Sequence, residues 1–491
     1  MLSGKKYLIN SLIRGTDIQK EQGAIFLFLG ILLLGLLIFS IATESIILWA
    51  FPIIVIFLLW TVQHTKGFLF LLHAMIPLSM EVELPGGFST DLPDEPMMIL
   101  MMGLILLMIL RNHNVITART IFHPITLLLL LHYFWIWTTT FTSQDLFPSI
   151  KYSLAKTWYI TVFYFGPLLL FTYFRDFKRL ITYMLIPLVL VTSYILVKHA
   201  FYNFSFEMAN KVVYPFFRNH VNSSAIMVTF LPFVWMLTRL KKQTYTNRLL
   251  LMSTIPLLMS GIFFSYTRAA ILSLFIGISV YFLVKKRWMK YALGIASVVT
   301  VMLLSSWIMN NKYLEFRPNF EHTVTHTEFG NLLSATYKLE DISTMERVYR
   351  WVAGYHMLMD RPAMGFGPSN FYNHYKSYTL HGFRTYVSDN PERSGVHSYY
   401  LMVAIEQGLV GFILFIVLCF FVILYGESLY HRLKEKDLKL LVMSAVVSFV
   451  IILSILIMND MIETDKVGPF FFLSMAILVF AEGYDKSKKT Q

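Results

Sequence analysis

A few residues of this chain combine a reactive side chain with an expensive position. Arg268 stands in the run Gly261-Ile262-Phe263-Phe264-Ser265-Tyr266-Thr267-Arg268-Ala269-Ala270-Ile271-Leu272, between two apolar stretches with almost no loop. A charge at membrane depth costs at least about 2.5–3.5 kcal/mol at mid-helix on insertion scales, and less near an interface. An arginine kept there faces a polar cavity or an anionic partner, or else snorkels to lipid headgroups. His397 opens another apolar run in His397-Ser398-Tyr399-Tyr400-Leu401. An imidazole at such a rim can take a proton near pH 7; the plainer reading is a polar residue at a helix start. Arg218, in Phe216-Phe217-Arg218-Asn219-His220, precedes a third apolar run. Arg347 and Arg350 fall in a long hydrophilic segment. Guanidinium groups suit an anionic partner, bound through bidentate hydrogen bonds.

The elements that must hold these residues follow from composition. The 491 residues are 56% apolar and 14% charged, with a mean hydropathy of +0.60. Soluble chains carry about 25% charged residues, and a soluble chain of this length would split into domains joined by polar linkers. Here apolar runs of about 15–20 residues recur instead, closed by basic clusters. A soluble enzyme, a nucleic-acid binder and a secreted disulfide scaffold are excluded. The single cysteine, Cys419, lies inside an apolar run, so no disulfide framework or cysteine-based metal site is possible.

The expected fold is an all-α polytopic membrane protein with 12 to 14 spans of about 20 residues. They are placed near 24–41, 46–63, 67–80, 97–110, 124–141, 157–174, 180–199, 222–238, 249–265, 269–284, 291–309, 397–424, 439–458 and 469–482. The third and fourth are short and read as tilted elements or a re-entrant pair. The first is longer than a signal-peptide core and reads as an uncleaved helix. Lys and Arg concentrate in 1–22, 111–123, 175–179, 239–248, 285–290 and 425–438 and in the tail, while the 81–96 loop is acidic. The positive-inside rule then puts both termini in the cytoplasm. The net charge of +12 is mostly the signature of that face rather than of nucleic acid. Three regions follow: a transmembrane bundle over 1–309, a large external loop over 310–396, and C-terminal helices with a cytoplasmic tail over 397–491.

A long loop in a chain that otherwise economises on loops is a functional candidate. Its nine basic residues are balanced by nine acidic ones, so it is not a polybasic tail. Ser343 with Glu346 fits a capping box, which predicts a helix from there to about Asp360, stopped by Pro362 and Gly365-Phe366-Gly367. Arg347, Arg350, Trp351, Gly354 and Leu358 share one face at spacings of 3 and 4. Such a helix can lie on the membrane surface and present two guanidinium groups along an edge. Ordinary interfacial anchoring by Arg and Trp explains the same spacing.

Other polar residues read more plainly. His73 and His132 inside apolar runs fit satisfied core histidines. Glu406 is a buried acceptor beside Gly408 and Gly411, with no chemistry assigned. Asp460, Glu463 and Asp465 read as a short, solvated acidic loop. No phosphate-binding G-x-x-x-x-G-K-S/T run and no H-E-x-x-H occur. Neither a catalytic metal nor a cofactor is expected.

Three ordered segments together resemble the bacterial O-antigen ligase and polysaccharide polymerase family. Ser265-Tyr266-Thr267-Arg268-Ala269-Ala270 is like the family's Ser/Thr-Arg-Gly/Ala-Ala/Ser at the end of a helix. Arg347, Trp351, Pro362, Gly365 and Gly367 are like its R-x-x-x-W…P-x-x-G-x-G. His397-Ser398-x-x-Leu401…Glu406-x-Gly408-Leu409-x-Gly411 is like its H-N-x-x-L…E-x-G-L/I-x-G, with Ser398 where Asn is usual. The resemblance covers about 220–425.

It implies a GT-C-like helical fold and a nucleotide-independent glycosyltransferase outside the cytoplasmic membrane. Such an enzyme inverts C1 and moves a glycan from an undecaprenyl (polyprenyl) diphosphate carrier to a sugar hydroxyl acceptor. On that reading Arg268 stabilises the leaving diphosphate, and Arg347, Arg350 and Arg218 complete the clamp. His397 is the base, and no nucleotide is needed because the carrier stores the energy. Implied partners are the donor, the acceptor and membrane lipids, with a flippase and a chain-length regulator beside them. The Lys-, Ile-, Phe- and Met-rich composition is like that of low-GC Gram-positive bacteria, where the product would be teichuronic acid or a capsule. The alternative function is a flippase or exporter of lipid-linked oligosaccharides. Such carriers have 12–14 spans, but they are typically built from repeated halves that this sequence does not show. A cell-shape peptidoglycan polymerase is a third reading, without its acidic catalytic loop.

Overall fold

The computed structural model describes residues 35, 56–84, 88–112, 115–241, 243–309, 342–380, 388–390 and 394–489. The expected span 24–41, most of 46–63 and the loop stretch 310–341 lie outside the described residues. The chain divides into two units, Met1–Phe68 and Leu69–Gln491. In the first, Trp60 stacks on His64 with ring centroids 5.7 Å apart.

Among its described residues, the second unit is helical apart from loops and one hairpin. Helix α1 (Thr65–Met75) enters it and leads to strands β1 (Met80–Leu84) and β2 (Phe88–Leu92), paired antiparallel with Glu81 opposite Asp91. The acidic 81–96 loop is therefore largely a β-hairpin, which the charge count did not anticipate. Then come α2 (Asp94–Arg111), α3 (Pro124–Phe141), α4 (Leu146–Tyr159) and α5 (Phe174–Ala200). Helix α4 begins well before the span expected at 157 and continues through a π segment, Ile160–Phe165. The membrane-crossing series goes on with α6 (His220–Arg239), α7 (Tyr245–Phe264), α8 (Arg268–Lys286) and α9 (Met289–Ile308). Helix α10 (Ile342–Asp360) lies in the long loop, and α11 (Tyr399–Arg432), α12 (Lys436–Ile455) and α13 (Gly468–Lys489) close the chain. Among the described residues, eight helices are long and apolar enough to cross a membrane: α3, α5, α6, α7, α8, α9, α11 and α12. The protein is an all-α, multi-pass membrane protein.

Helices α6 and α12 form the centre and are mostly buried. They run antiparallel, because Ser448 Oγ donates to the Thr229 carbonyl at 2.9 Å and Ser444 Oγ to the Pro232 carbonyl at 2.8 Å. Without a hydrophobic driving force between helices in lipid, small residues decide how closely they pack. Gly277 lets α8 lie on α12: a Cβ there would fall 2.7 Å from Ile451 Cδ1. Helix α9 is the opposite case, with Tyr291, Ile295, Val298, Val299 and Met302 exposed. Apolar exposure of that kind suits lipid.

Helix ends give the bundle two poles. Tyr399 N donates to the Leu456 carbonyl at 2.9 Å, so the start of α11 meets the end of α12. Thr267 Oγ1 reaches the His220 carbonyl at 3.5 Å, joining the starts of α8 and α6. At the other pole His431 Nε2 lies 2.8 Å from the Val284 carbonyl, and Met289 N donates to Glu427 Oε1 at 3.0 Å.

Candidate active site

All of the predicted site residues stand at the first pole. Arg218 lies two residues before α6, Arg268 is the first residue of α8, and His397 lies two residues before α11. Arg347 and Arg350 are on α10. Two groups emerge.

In the first group, a tight reversal sets Arg268. Ser265 Oγ turns back to the Ile262 carbonyl at 2.6 Å, and Thr267 N donates to Ser265 Oγ at 3.3 Å. Tyr266 takes a left-handed φ of 55°. Its hydroxyl donates to the Phe204 carbonyl at 2.5 Å. The turn leaves Arg268 half-buried, with Thr267 as the cap residue of α8. A helix start carries partial positive charge, so a cation there opposes the helix dipole and an anion beside it relieves both. Arg218 is exposed on the neighbouring segment, just before the α6 cap, where Asn219 Oδ1 accepts from Asn222 N at 2.9 Å.

The second group joins Arg347, Arg350 and His397. Helix α10 forms over the expected residues and packs on α11. Gly354 allows the approach, since a Cβ there would fall 2.6 Å from Ile405 Cδ1. Met345, Val348 and Met357 are buried. Arg350 is buried too: it pairs with Glu346 at 3.5 Å and donates through Nη1 to the Gly395 carbonyl at 3.2 Å. Trp351 Nε1 donates to the next carbonyl but one from Ser394, that of Val396, at 3.1 Å. The helix thus uses this face to hold the chain leading to His397, rather than presenting both guanidinium groups along an open edge. Glu346 bonds Ser388 Oγ at 2.7 Å, a partner the capping-box reading did not foresee.

His397 itself has a left-handed φ of 57°, a conformation that costs a non-glycine residue about 1–3 kcal/mol. Its backbone N–H donates to the Asp460 carboxylate. Gly395 leaves room for that carboxylate, since a Cβ would fall 2.6 Å from Asp460 Oδ2. Burial, then the charges of Arg350 and Arg347, lower the imidazole pKa to about 3. Burial raises the Asp460 carboxyl to about 7 against its His397 N–H bond.

The acidic stretch at 460–465 is therefore no solvated loop, which corrects the sequence reading. Glu463 accepts from Lys156 Nζ at 2.7 Å and from Tyr152 at 2.9 Å. Buried Asp465 pairs with Lys466 at 2.8 Å. Lys466 also donates to the Ile76 and Ser79 carbonyls at 2.7 and 3.0 Å. A lysine amid apolar residues needs such a carboxylate, and Lys466 was the signal that sequence reading missed. Both histidines lie in the core as expected; His132 bonds Gln407 at 3.0 Å, while His73 bonds the Leu69 carbonyl at 2.8 Å through Nδ1 and its buried Nε2 has no hydrogen-bond partner among the described residues.

Residues 249–416 match the family model described as O-Antigen ligase. No curated protein matches the chain. The matched stretch contains Arg268, Arg347, Arg350 and His397 and excludes Arg218 and Asp460. Over that stretch this multi-pass membrane protein is similar to the O-antigen ligase domain.

Proposed function

We propose that the protein is a membrane glycan transferase of cell-surface polysaccharide synthesis. It takes a glycan from a polyprenyl diphosphate carrier and gives it to a sugar hydroxyl at the pole that faces outside. The observation that supports this is that Arg218, Arg268 and His397 stand at helix starts of one pole, with Arg347 and Arg350 on the helix that holds the chain to His397, most of them within the matched stretch.

The chemistry balances with these groups alone. The acceptor oxygen attacks C1 of the donor sugar, and the bond from C1 to the diphosphate oxygen breaks with its electron pair going to that oxygen. Guanidinium groups fixed around the diphosphate stabilise the charge that builds there. The acceptor proton passes to His397. Burial, and then the guanidinium charges of Arg350 and Arg347, weaken this base. The donor diphosphate offsets those charges, so donor binding strengthens the base at the moment it is needed.

Purified protein in lipid, given lipid-linked repeat units, tests the reading. A product ladder means a polymerase, and one transfer to a different acceptor means a ligase. His397→Ala should lower the rate by about 10²–10⁴-fold, the range for a lost general base. A wild-type rate from that variant overturns the role of His397.

A further inference from the structure

We infer that Glu406 is a positioning residue of the proposed transfer, a buried carboxylate that staples the segment after α10 into a break in α11 and so sets where the guanidinium groups of α10 stand relative to His397. The inference rests on the function proposed above. Glu406 is 2% exposed, and both of its oxygens are used: Oε2 accepts from Ser369 N at 2.8 Å and Oε1 from Phe371 N at 3.2 Å. The break lies beside it, where Gly408 leaves helical geometry with φ 70° and ψ 179°. The backbone groups freed by the break go to the same segment. Phe366 N donates to the Ile405 carbonyl at 3.0 Å, Gly367 N to the Glu406 carbonyl at 2.9 Å, and Leu409 N to the Pro362 carbonyl at 2.8 Å.

Depth makes this unusual. Glu406 lies seven residues into α11, about 10 Å below its start at a rise of 1.5 Å per residue. A loop entering that far would strand its amides among apolar side chains unless acceptors met them. Glu406 and the broken helix supply those acceptors. The glycines of the segment and the break are needed for contact: a Cβ on Gly365 would fall 2.5 Å from the Ile405 carbonyl oxygen, and one on Gly408 would strike the Ala363 carbonyl. Helix α10 is then held on α11 at two levels, by the staple beyond Asp360 and by Arg350 at the Gly395 carbonyl. Loss of the lower hold lets α10 shift along α11 while the helices of the bundle stay in place.

Glu406→Gln keeps the shape but turns one acceptor into a donor facing an N–H. Gly408→Ala pushes the same segment from the opposite side. Both should lower kcat by about 10–10²-fold, as misplacement of about 1 Å does, with KM within about threefold because donor contacts remain. Amide hydrogen exchange of the intact protein should quicken at Ser369 and Phe371 in Glu406→Gln. Unchanged protection of those amides overturns the staple. A kcat per folded molecule equal to wild type, with only yield or melting temperature reduced, overturns the positioning role. If His397→Ala and Arg268→Ala were instead as active as wild type, the transferase reading would fail, and the exchange result would still report on the staple.

Discussion

The two cationic groups at the active pole are built by opposite means. Arg268 is set by its immediate neighbours: one left-handed tyrosine, a serine turned back on its own helix, and a helix start. Arg350 and His397 are set by contacts far away in the chain, Arg350 by the Gly395 carbonyl and His397 by Asp460. The first arrangement survives as long as two transmembrane helices pack. The second depends on contacts that the chain around 342–397 makes with residues distant in sequence. On the proposed function, a donor would meet one arginine held by local turns and an arginine–histidine pair held by distant contacts.

Mutation separates the two. Arg268→Ala should cost about 10²–10³-fold in kcat, the loss of one preorganised charge stabiliser, with the melting temperature unchanged. Arg268→Lys should recover little, because an ammonium lacks the planar fork. Equal activity of wild type and Arg268→Lys would show that only charge matters there. Arg350→Ala should differ in kind. It breaks the buried pair with Glu346, a loss of about 3–5 kcal/mol for such pairs, so the thermal unfolding temperature in lipid should fall together with activity. A stable but inactive Arg350→Ala would erase the contrast.

Acidity sharpens the comparison further. If His397 is the base, the neutral imidazole is its working form, and its lowered pKa means that it protonates only as pH falls through about 3. The His397 limb of kcat/KM should therefore lie far below 6.5. The same limb in kcat, which reports the donor complex, should lie higher. A limb near 7 belongs to Asp460, and Asp460→Asn should remove it. Identical limbs near 6.5 in both profiles would rule out the influence of the two arginines. The smallest effect is expected at Arg218, which is exposed. Arg218→Gln should change stability by no more than about 0.5 kcal/mol and should act on KM rather than kcat.

Sequence reading reached the membrane class, most helices of the bundle and the helix over 342–360, because apolar period and terminal signals are local. It also picked out Arg268 from the cost of its position. It missed the hairpin over 80–92, where acids alternate with apolar residues that charge counting passes over. It also misread Asp460, Glu463 and Asp465. An acid in a short loop looks solvated until a cation from another part of the chain reaches it, as Lys156 does for Glu463. Glu406 was recognised as buried, but its partners are amides of a loop that had no reason, from spacing alone, to enter the bundle. Long-range pairing is the common factor in these omissions.

The left-handed backbone at His397 also restricts which residues can ever occupy that position. Valine or isoleucine would be barred by their branched side chains whatever their chemistry, while asparagine and glycine fit the dihedral without protest. Neutral drift at this site must therefore pass through a narrow set of side chains. For the experimenter, asparagine is the cleanest replacement, since it removes the imidazole and keeps the chain's course.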